Sequence, residues 1–406
     1  MDSDRDPGKL KILICLLYYL PHRTGLTLYV QQLAERLAAR GHQVTVVCAR
    51  HSKETPLGES VENGVRVVRL WAPFGISRGM VMPGYPWRVI RLMREHDVVS
   101  VHTPMLETAL LGLLARLTGK RIVCTHHGDL VLPGGAINRI ITGIMFAFYR
   151  SMARVTPAFV CHTMDYARHS YYLKPYLERV AVIPPFIDVA EPDPERVREL
   201  RRAWSPDGGP IIGFAGRFVE EKRPDLLIQS LEVVNRTYPT ARIVFAGQHQ
   251  IPYETYWPRH QPLVESFKDQ LIFLGIVPTP QEMADFYAAC DVLALPSDTE
   301  CFALVQVEAM LCGTPVVMTD TPGGRVPVQL TGMGRIVPRG DFRALGEGIV
   351  EVLRDRSRHV RPAREIEGHF SVEETVGRYE QLFRLHARTA EKQSLLRSAS
   401  APSGTD

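Results

Sequence analysis

Short β-branched runs alternate with amphipathic helical stretches along most of the chain. "LKILICLL" (10–17) reads as a buried strand, "TLYVQQLAERLAARG" as a helix stopping at Gly41, and "HQVTVVCA" (42–49) as the next strand. The pattern continues through "DVVSVH", "RIVCTH", "AFVCHT" and "VAVIP", with helical stretches such as Leu106–Leu117 between them. Such an alternation marks a parallel sheet covered on both faces. "IPPFIDVAEPDPER" then interrupts with prolines and acids, and a short helical segment and "WSPDGGP" follow, so the inter-domain connection is expected between 184 and 209. Alternation resumes with "IIGFAG", "ARIVFAG", "LIFLG", "DVLALP" and "TPVVMT". The expected fold is α/β: two doubly wound, Rossmann-like parallel-sheet domains, 9–190 and 209–368. A last helical stretch, 371–388, is expected to cross back and pack on the first domain, while 1–8 and 389–406 are expected to be disordered.

Length agrees with this division, since 406 residues suit two domains of about 150–200 residues each. The chain is 45% hydrophobic and 23% charged, which is ordinary for a soluble globular protein. No apolar run reaches the roughly 18 residues of a membrane helix. The polar start "MDSDRDPGK" does not read as a signal peptide, and none is expected there. Seven scattered cysteines without a CxxC pair read as buried free thiols, so a cytoplasmic, reducing location is expected. The net charge of +4 conceals an asymmetry: 23 basic minus 14 acidic residues gives +9 over 1–190, and 25 minus 30 gives −5 over 191–406. This is either ordinary drift or a first half that meets something acidic, such as an anionic lipid surface. Without a dense basic stripe interleaved with aromatics, nucleic acid is not an expected partner.

Ligands of open parallel sheets bind outside the carboxyl ends of the strands, so the residues after each strand are the candidates. After the first strand, Gly25 precedes a helix with Thr24 and Thr27 as cap residues; a glycine there lets backbone approach a phosphate. No GxGxxG follows it, so a dinucleotide fingerprint is absent. "RIVCT" leads into His126, His127 and Asp129. Adjacent strand residues point to opposite sides, so one imidazole at most faces a ligand. No partner cluster has zinc-ligand spacing, and no metal is expected. After "IIGFAG", Arg217 and Lys222 flank a loop into a helix with Pro224 in its first turn. Two cations there can clamp a pyrophosphate, or form a solvated loop with Glu220 and Glu221. The backbone of Ile276 and Val277 leaves a strand where it could read a base edge.

"SDTECFALVQVEAM" (297–310) places Glu300 in a loop and Glu308 inside an apolar helix predicted from about Phe302 to Cys312. Glu308 would lie about 9 Å further along the axis. A carboxylate on the packed side is reasonable where it accepts from hydroxyls, as a ribose offers. The amides of Phe302, Ala303 and Leu304 would then face a phosphate, and Glu300 whatever lies beyond it. Ribose, diphosphate and hexose in series describe a nucleotide sugar.

"GRFVEEKRPDLLIQSL", "FLGIVPTPQEMADFYAACDVLALPSDTECFALVQVEAMLCGTPVV" and the Glu300-x7-Glu308 spacing resemble the retaining glycosyltransferases of family 4, which have the GT-B fold. "GLTLYVQQLAERLAARGHQVTVV", "RIVCTHHGDL" and "VAVIPPFID" extend the resemblance to about residues 9–388. It implies two domains facing a cleft, with donor binding mainly in the second domain and acceptor binding mainly in the first. It also implies that Arg217 and Lys222 hold the diphosphate, Glu308 the ribose and Glu300 the donor sugar near its anomeric carbon, with His127 beside the sugar. Metal is usually not required in this fold, and the only DxD here is Asp2-Ser3-Asp4. Gly25 is followed by Leu26 where the family commonly has a second glycine, Pro185-Phe186 stands where Asn-Gly is frequent, and the acidic residue often found after Gly323-Gly324 is missing. The expected function is transfer of a hexose from a UDP- or GDP-sugar to a hydroxyl acceptor such as a lipid-linked glycan or glycolipid. The helical stretch 136–155, bounded by Arg139 and Arg150, is either core or a membrane-surface patch. A nucleotide-sugar epimerase and an inactive sugar-nucleotide-binding module are the alternatives.

Overall fold

The computed structural model describes residues 8–76, 79–130, 135–251 and 256–399. Residues up to Ile183 and from Glu373 form one compact unit, and Pro184–Val372 form the other.

The first unit has strands β1 (Lys11–Cys15), β2 (Gln43–Ala49), β3 (Gly58–Glu62), β4 (Val65–Leu70), β5 (Phe74–Ile76), β6 (Gly79–Val81), β7 (Val98–Thr103), β8 (Ile122–His126), β9 (Ala158–Cys161) and β10 (Val180–Val182). Helices α1 (Gly25–Ala39), α2 (Tyr85–Glu95), α3 (Thr108–Thr118), α4 (Ala136–Ala153) and α5 (Met164–His169) alternate with them. The sheet order is β10-β9-β8-β7-β1-β2-β4-β3. Its pairings are parallel except β3 with β4, and β5 and β6 form a separate antiparallel pair. Ile12 to Cys15 have no exposed surface, as expected of a strand covered on both sides. The β3–β4 hairpin was not expected from periodicity. It turns at Asn63 and Gly64, both at positive φ (48° and 81°), a geometry that matches strand twist.

The second unit has β11 (Ile211–Ala215), β12 (Arg242–Ala246), β13 (Leu271–Gly275), β14 (Val292–Leu295), β15 (Val316–Thr319) and β16 (Gly334–Val337). Around them lie α6 (Pro194–Trp204), α7 (Pro224–Val234), α8 (Tyr256–Ser266), α9 (Pro280–Ala289), α10 (Leu304–Leu311), α11 (Val326–Thr331), α12 (Phe342–Arg354) and α13 (Ala363–Glu367). The order is β13-β12-β11-β14-β15-β16, parallel throughout. Strand alternation divides the interior in two: Ile211 joins Phe286, Val307 and Met310 on one face, while Ile212 joins Leu227, Leu231 and Ile349 on the other. The segment 184–209, expected to connect the domains, belongs wholly to this unit. Trp204 on α6 is buried with its ring 6.1 Å from that of Phe286, and the Asp193 amide donates to Asp285 at 2.7 Å.

α14 (Val372–Ala399) returns to the first unit. Val376, Tyr379 and Phe383 are buried there, and full burial of such a side chain is worth about 1.5–3 kcal/mol. The Tyr29 hydroxyl donates to that of Tyr379 at 3.0 Å, and Tyr379 lies 3.2 Å from Thr125 Oγ1. Arg40 ties Glu373 and Glu380 at 2.5 and 2.9 Å. The disorder expected from 389 is replaced by helix through Ala399. Residues 1–7 and 400–406, with Asp2-Ser3-Asp4 among them, lie outside the described residues. The seven cysteines are free thiols; five are buried and Cys301 and Cys312 half-buried.

Each sheet has one point where the strand order turns. β1 pairs with β2 on one side and β7 on the other, and β11 likewise with β12 and β14. A crevice opens outside the carboxyl ends at such a point.

Candidate functional site

In the second unit, the strands flanking the turning point deliver the predicted charges. β11 exits into Arg217, which is exposed, and then into a 3-10 turn at Glu220–Lys222. β14 exits into Ser297 and Glu300. The two loops meet: Lys222 Nζ lies 2.5 Å from Glu300 Oε1, which also accepts from Ser297 Oγ at 2.8 Å. Lys222 therefore pairs with neither Glu220 nor Glu221. Glu220 faces Arg259 at 3.4 Å, and the Glu221 carbonyl accepts from the Asp298 amide at 2.8 Å. Arg223, at a positive φ of 49°, forks onto Asp225 at 3.0 and 2.9 Å and reaches Asp298 at 3.2 Å. It fastens the Lys222 loop to the Glu300 loop.

Glu300 is also braced from behind, where it bridges to Gly323. A Cβ on Gly323 would stand 2.3 Å from the Cys301 carbonyl, and one on Gly324 would stand 2.9 Å from Glu300 Cβ. Gly323 also has φ +81°, so the Gly-Gly pair is what lets this loop press against the carboxylate's backbone. Gln306, fully buried, donates to the carbonyls of Phe302 and Gly324 at 2.7 and 2.8 Å.

The predicted helix start needs correction. α10 begins at Leu304, because Ala303 has a left-handed φ of 60° that no α-helix accommodates. Leu304 alone of the three predicted amides is helical. Phe302 precedes the helix, with its ring buried against Phe370 at 5.5 Å. Glu308 is within α10 as expected and accepts from the Tyr287 hydroxyl at 2.6 Å. Burial pushes the Glu308 carboxyl above its ordinary value, and the Tyr287 hydrogen bond opposes that rise. Ile276, exposed, and Val277, half-buried against the core, leave the edge strand β13 ahead of the Thr279 cap of α9. β13 is three strands from β14, or about 14 Å across the sheet.

In the first unit, Thr24 caps α1 and forms a capping box with Thr27, and Gly25 is the exposed first helical residue. At the exit of β8 the two histidines separate as strand alternation requires. His126 has no exposed surface; its Nε2 donates to Asp129 at 3.0 Å and its Nδ1 lies 3.0 Å from Thr103 Oγ1. Asp129 also accepts from Ser170 Oγ and the Tyr171 amide, both at 2.7 Å. Burial acts to raise its carboxyl, but His126 and Ser170 hold it below the ordinary value. His126 and Asp129 are thus occupied in holding a loop.

His127 is largely buried and turns toward His102, whose Nδ1 lies 2.9 Å from His127 Nε2. His102 Nε2 lies 3.2 Å from Ser100 Oγ. His162 and Tyr29 pack edge-on against the His127 ring at 5.4 Å. Burial keeps all three imidazoles neutral: His102 falls to about 3, His162 to about 4, and His127 well below its ordinary value, each assisted by a neighbouring imidazole. Tyr287, His102 and Ser100 were not singled out in the sequence. For His102 and Ser100 a signal existed, since polar residues two apart on "VVSVH" share one strand face.

Among the described residues no group of three or more His, Cys, Asp and Glu side chains is placed to hold a metal ion. No described helix is long and apolar enough to cross a membrane.

Comparison with known proteins places both halves. Residues 23–191 match the family model "Glycosyltransferase Family 4", and residues 197–367 match "Glycosyl transferases group 1". The chain is 28% identical over 360 residues to a GDP-mannose-dependent alpha-mannosyltransferase of Mycobacterium tuberculosis, covering 85% of this chain and 89% of that one. It is 28% identical over 390 residues to a D-inositol 3-phosphate glycosyltransferase of Corynebacterium urealyticum, covering 89% and 90%. Among solved structures, the sucrose-phosphate synthase of Thermosynechococcus elongatus superposes with a TM-score of 0.72 at 19% identity, covering 93% of this chain and 98% of that one. Anabaena HepE, in complex with UDP and glucose, gives 0.70 at 17%, covering 97% and 100%. The chain belongs to the group 1, family 4 glycosyltransferases and has their GT-B fold.

Proposed function

We propose that this glycosyltransferase moves a hexose from a nucleoside-diphosphate sugar to an acceptor hydroxyl, with retention at the anomeric carbon and without a metal ion. The observation that carries the proposal is the Lys222–Glu300 pair, 2.5 Å apart where the β11 and β14 exits meet. Arg217 and Lys222 hold the diphosphate, helped by the amides around Leu304, while Glu308 takes the ribose hydroxyls. Glu300 and His127 address the sugar, the backbone of Ile276 and Val277 reads the base, and the Gly25 loop approaches the phosphate. As the bond from the anomeric carbon to the phosphate oxygen breaks, positive character grows on the sugar and negative charge on the phosphate. The cations stabilise that charge, which is the largest catalytic contribution in sites of this kind. The acceptor oxygen bonds to the anomeric carbon on the same face, and its proton passes to the departing phosphate.

The mannosyltransferase relatives make GDP-mannose the first donor to test, with UDP-sugars next. The acceptor is proposed to be a glycolipid or lipid-linked glycan. On α4 and its neighbour α3, Ile140 (63% exposed), Ile144, Leu113 and Leu117 face outward, and Arg116, Arg139 and Arg150 are exposed on the same helices. Exposed apolar side chains interspersed with cations suit an anionic membrane. Liposomes with anionic lipid should pellet the protein at low salt; no pelleting removes the membrane part of the proposal.

The central test is a thermal-shift screen of UDP-, GDP- and ADP-sugars, since a ligand bound only by the folded state raises the melting point. Product stereochemistry by NMR follows. No shift with any donor, or an inverted product, would overturn the proposal. Conversion of the donor without an acceptor would identify an epimerase, and binding without turnover a binding module.

A further inference from the structure

The chain of polar groups behind His127 ends in a serine, and that end fixes its direction. Ser100 is fully buried on β7, and among the described residues its hydroxyl has one hydrogen-bond partner, His102 Nε2 at 3.2 Å. His102, also fully buried, has two among them: Ser100, and His127 Nε2 at 2.9 Å. Two proton orders are formally available. In one, Ser100 donates to His102 Nε2, so His102 carries its proton on Nδ1 and donates to His127 Nε2. His127 must then carry its own proton on Nδ1. In the other order the His102 Nε2–H donates to Ser100. The serine hydrogen is then enclosed without an acceptor, which is the expensive way to leave a buried hydroxyl.

We propose that Ser100 and His102 order the protons in this chain, so that His127 meets its ligand as a neutral Nδ1–H donor. Nδ1 has no partner among the described residues. The ligand atom it takes is an oxygen with a free lone pair, on a sugar or a phosphate. His127 is then not the base that removes the acceptor proton, because its one basic nitrogen, Nε2, is occupied by His102. Ser100 and His102 are positioning residues that act through His127. His126 shows the contrasting arrangement: Asp129 claims its Nε2–H and Thr103 its Nδ1, which leaves neither nitrogen for a ligand.

The inference rests on His127 being the ligand-facing histidine of the proposed transferase, but its test needs no donor or acceptor. Histidine ¹⁵N labelling of the full chain, with the His127 signals identified by their loss in His127→Gln, reports which ring nitrogen bears the proton. Wild type should show Nδ1 protonated and Nε2 not. Ser100→Ala should let the Nε2-protonated form appear, and Ser100→Thr, which restores a hydroxyl, should return the wild-type spectrum. Nε2 protonation in the wild type, or identical spectra for wild type and Ser100→Ala, would overturn the inference while leaving the transferase proposal standing. If the donor screen fails instead, the proton order can still be read.

Discussion

Tyr287→Phe isolates the one hydrogen bond that the Glu308 carboxyl accepts among the described residues. The Tyr287 ring is 1% exposed, so phenylalanine fills the same space and only the hydroxyl is lost. That hydroxyl donates to Glu308 Oε2 at 2.6 Å, and burial keeps it protonated and able to donate at any working pH. A hydrogen bond to a charged group is worth about 1.5–3 kcal/mol. At about 2–4 °C per kcal/mol for a unit of this size, the variant should melt roughly 3–12 °C below wild type at pH 8. The pH dependence sharpens the test. Burial already raises the folded Glu308 carboxyl above its unfolded value, so the folded state binds this proton more tightly and stability falls as pH rises through the folded value. The hydroxyl opposes that rise, so its removal moves the folded value higher still. The gap between variant and wild type should therefore be smallest on the acid side, where the carboxyl is protonated in both, and should widen as pH rises. Melting curves by calorimetry at several pH values measure it. An equal gap at both ends, or none, would refute the claim that this hydroxyl stabilises a buried carboxylate.

Arg217→Ala and Lys222→Met should each lower donor turnover roughly 10²–10³-fold in a nucleotide-release assay, by analogy with loss of one oxyanion donor; near-normal turnover removes the residue from the diphosphate. Gly323→Ala should destabilise the second unit, because a left-handed φ costs a residue with a Cβ about 1–2 kcal/mol before the 2.3 Å approach to the Cys301 carbonyl is relieved; an unchanged melting point would show that the loop yields. Dialysis against EDTA should leave the rate unchanged, and restoration of a lost rate by added divalent cation would overturn the metal-free mechanism. Ile140→Glu with Ile144→Glu should abolish liposome pelleting while leaving the melting point near that of wild type.

The parallel strands were legible because burial on both faces writes an apolar run into the sequence, as "KILIC" and "IIGFA" do. The β3–β4 hairpin was missed although Asn63-Gly64 marks its turn, because Glu59, Ser60 and Glu62 break the apolar pattern on an edge strand. The start of α10 was misplaced because nothing in "ECFALVQ" distinguishes a helical Ala303 from a left-handed one. That conformation is imposed by the loop around Glu300, which Gly323 and Gln306 hold. Lys222 and Glu300 could each be assigned to a strand exit, but they are 78 positions apart and their contact follows only from β11 lying beside β14. Alternation predicted that His126 and His127 diverge; Asp129, which occupies His126, decided which of them stays available.

The two sheets turn at equivalent points yet present opposite chemistry there. Beside the first, burial strips charge from the imidazoles of His102, His127 and His162, so what remains are dipoles: N–H groups, hydroxyls and ring faces. Beside the second, opposite formal charges pair, Lys222 with Glu300 at 2.5 Å, Arg217 follows the same β11 exit, and the Glu308 carboxyl accepts from the neutral Tyr287 hydroxyl. A neutral hydrogen-bonding surface discriminates among hydroxyls through direction, and it does not repel or trap an ion. A charged one suits a ligand that arrives with charge and develops more of it as it reacts. Under the proposed function, the phosphates of a nucleotide sugar are that kind of ligand. The Lys222–Glu300 pair keeps each charge partly neutralised. Under the proposed function, a phosphate that takes over Lys222 leaves Glu300 with the Ser297 hydroxyl and an increased demand for other donors, which sugar hydroxyls can meet. On that proposal, occupation of the anion site strengthens the site for the sugar through the 2.5 Å contact that joins the two side chains.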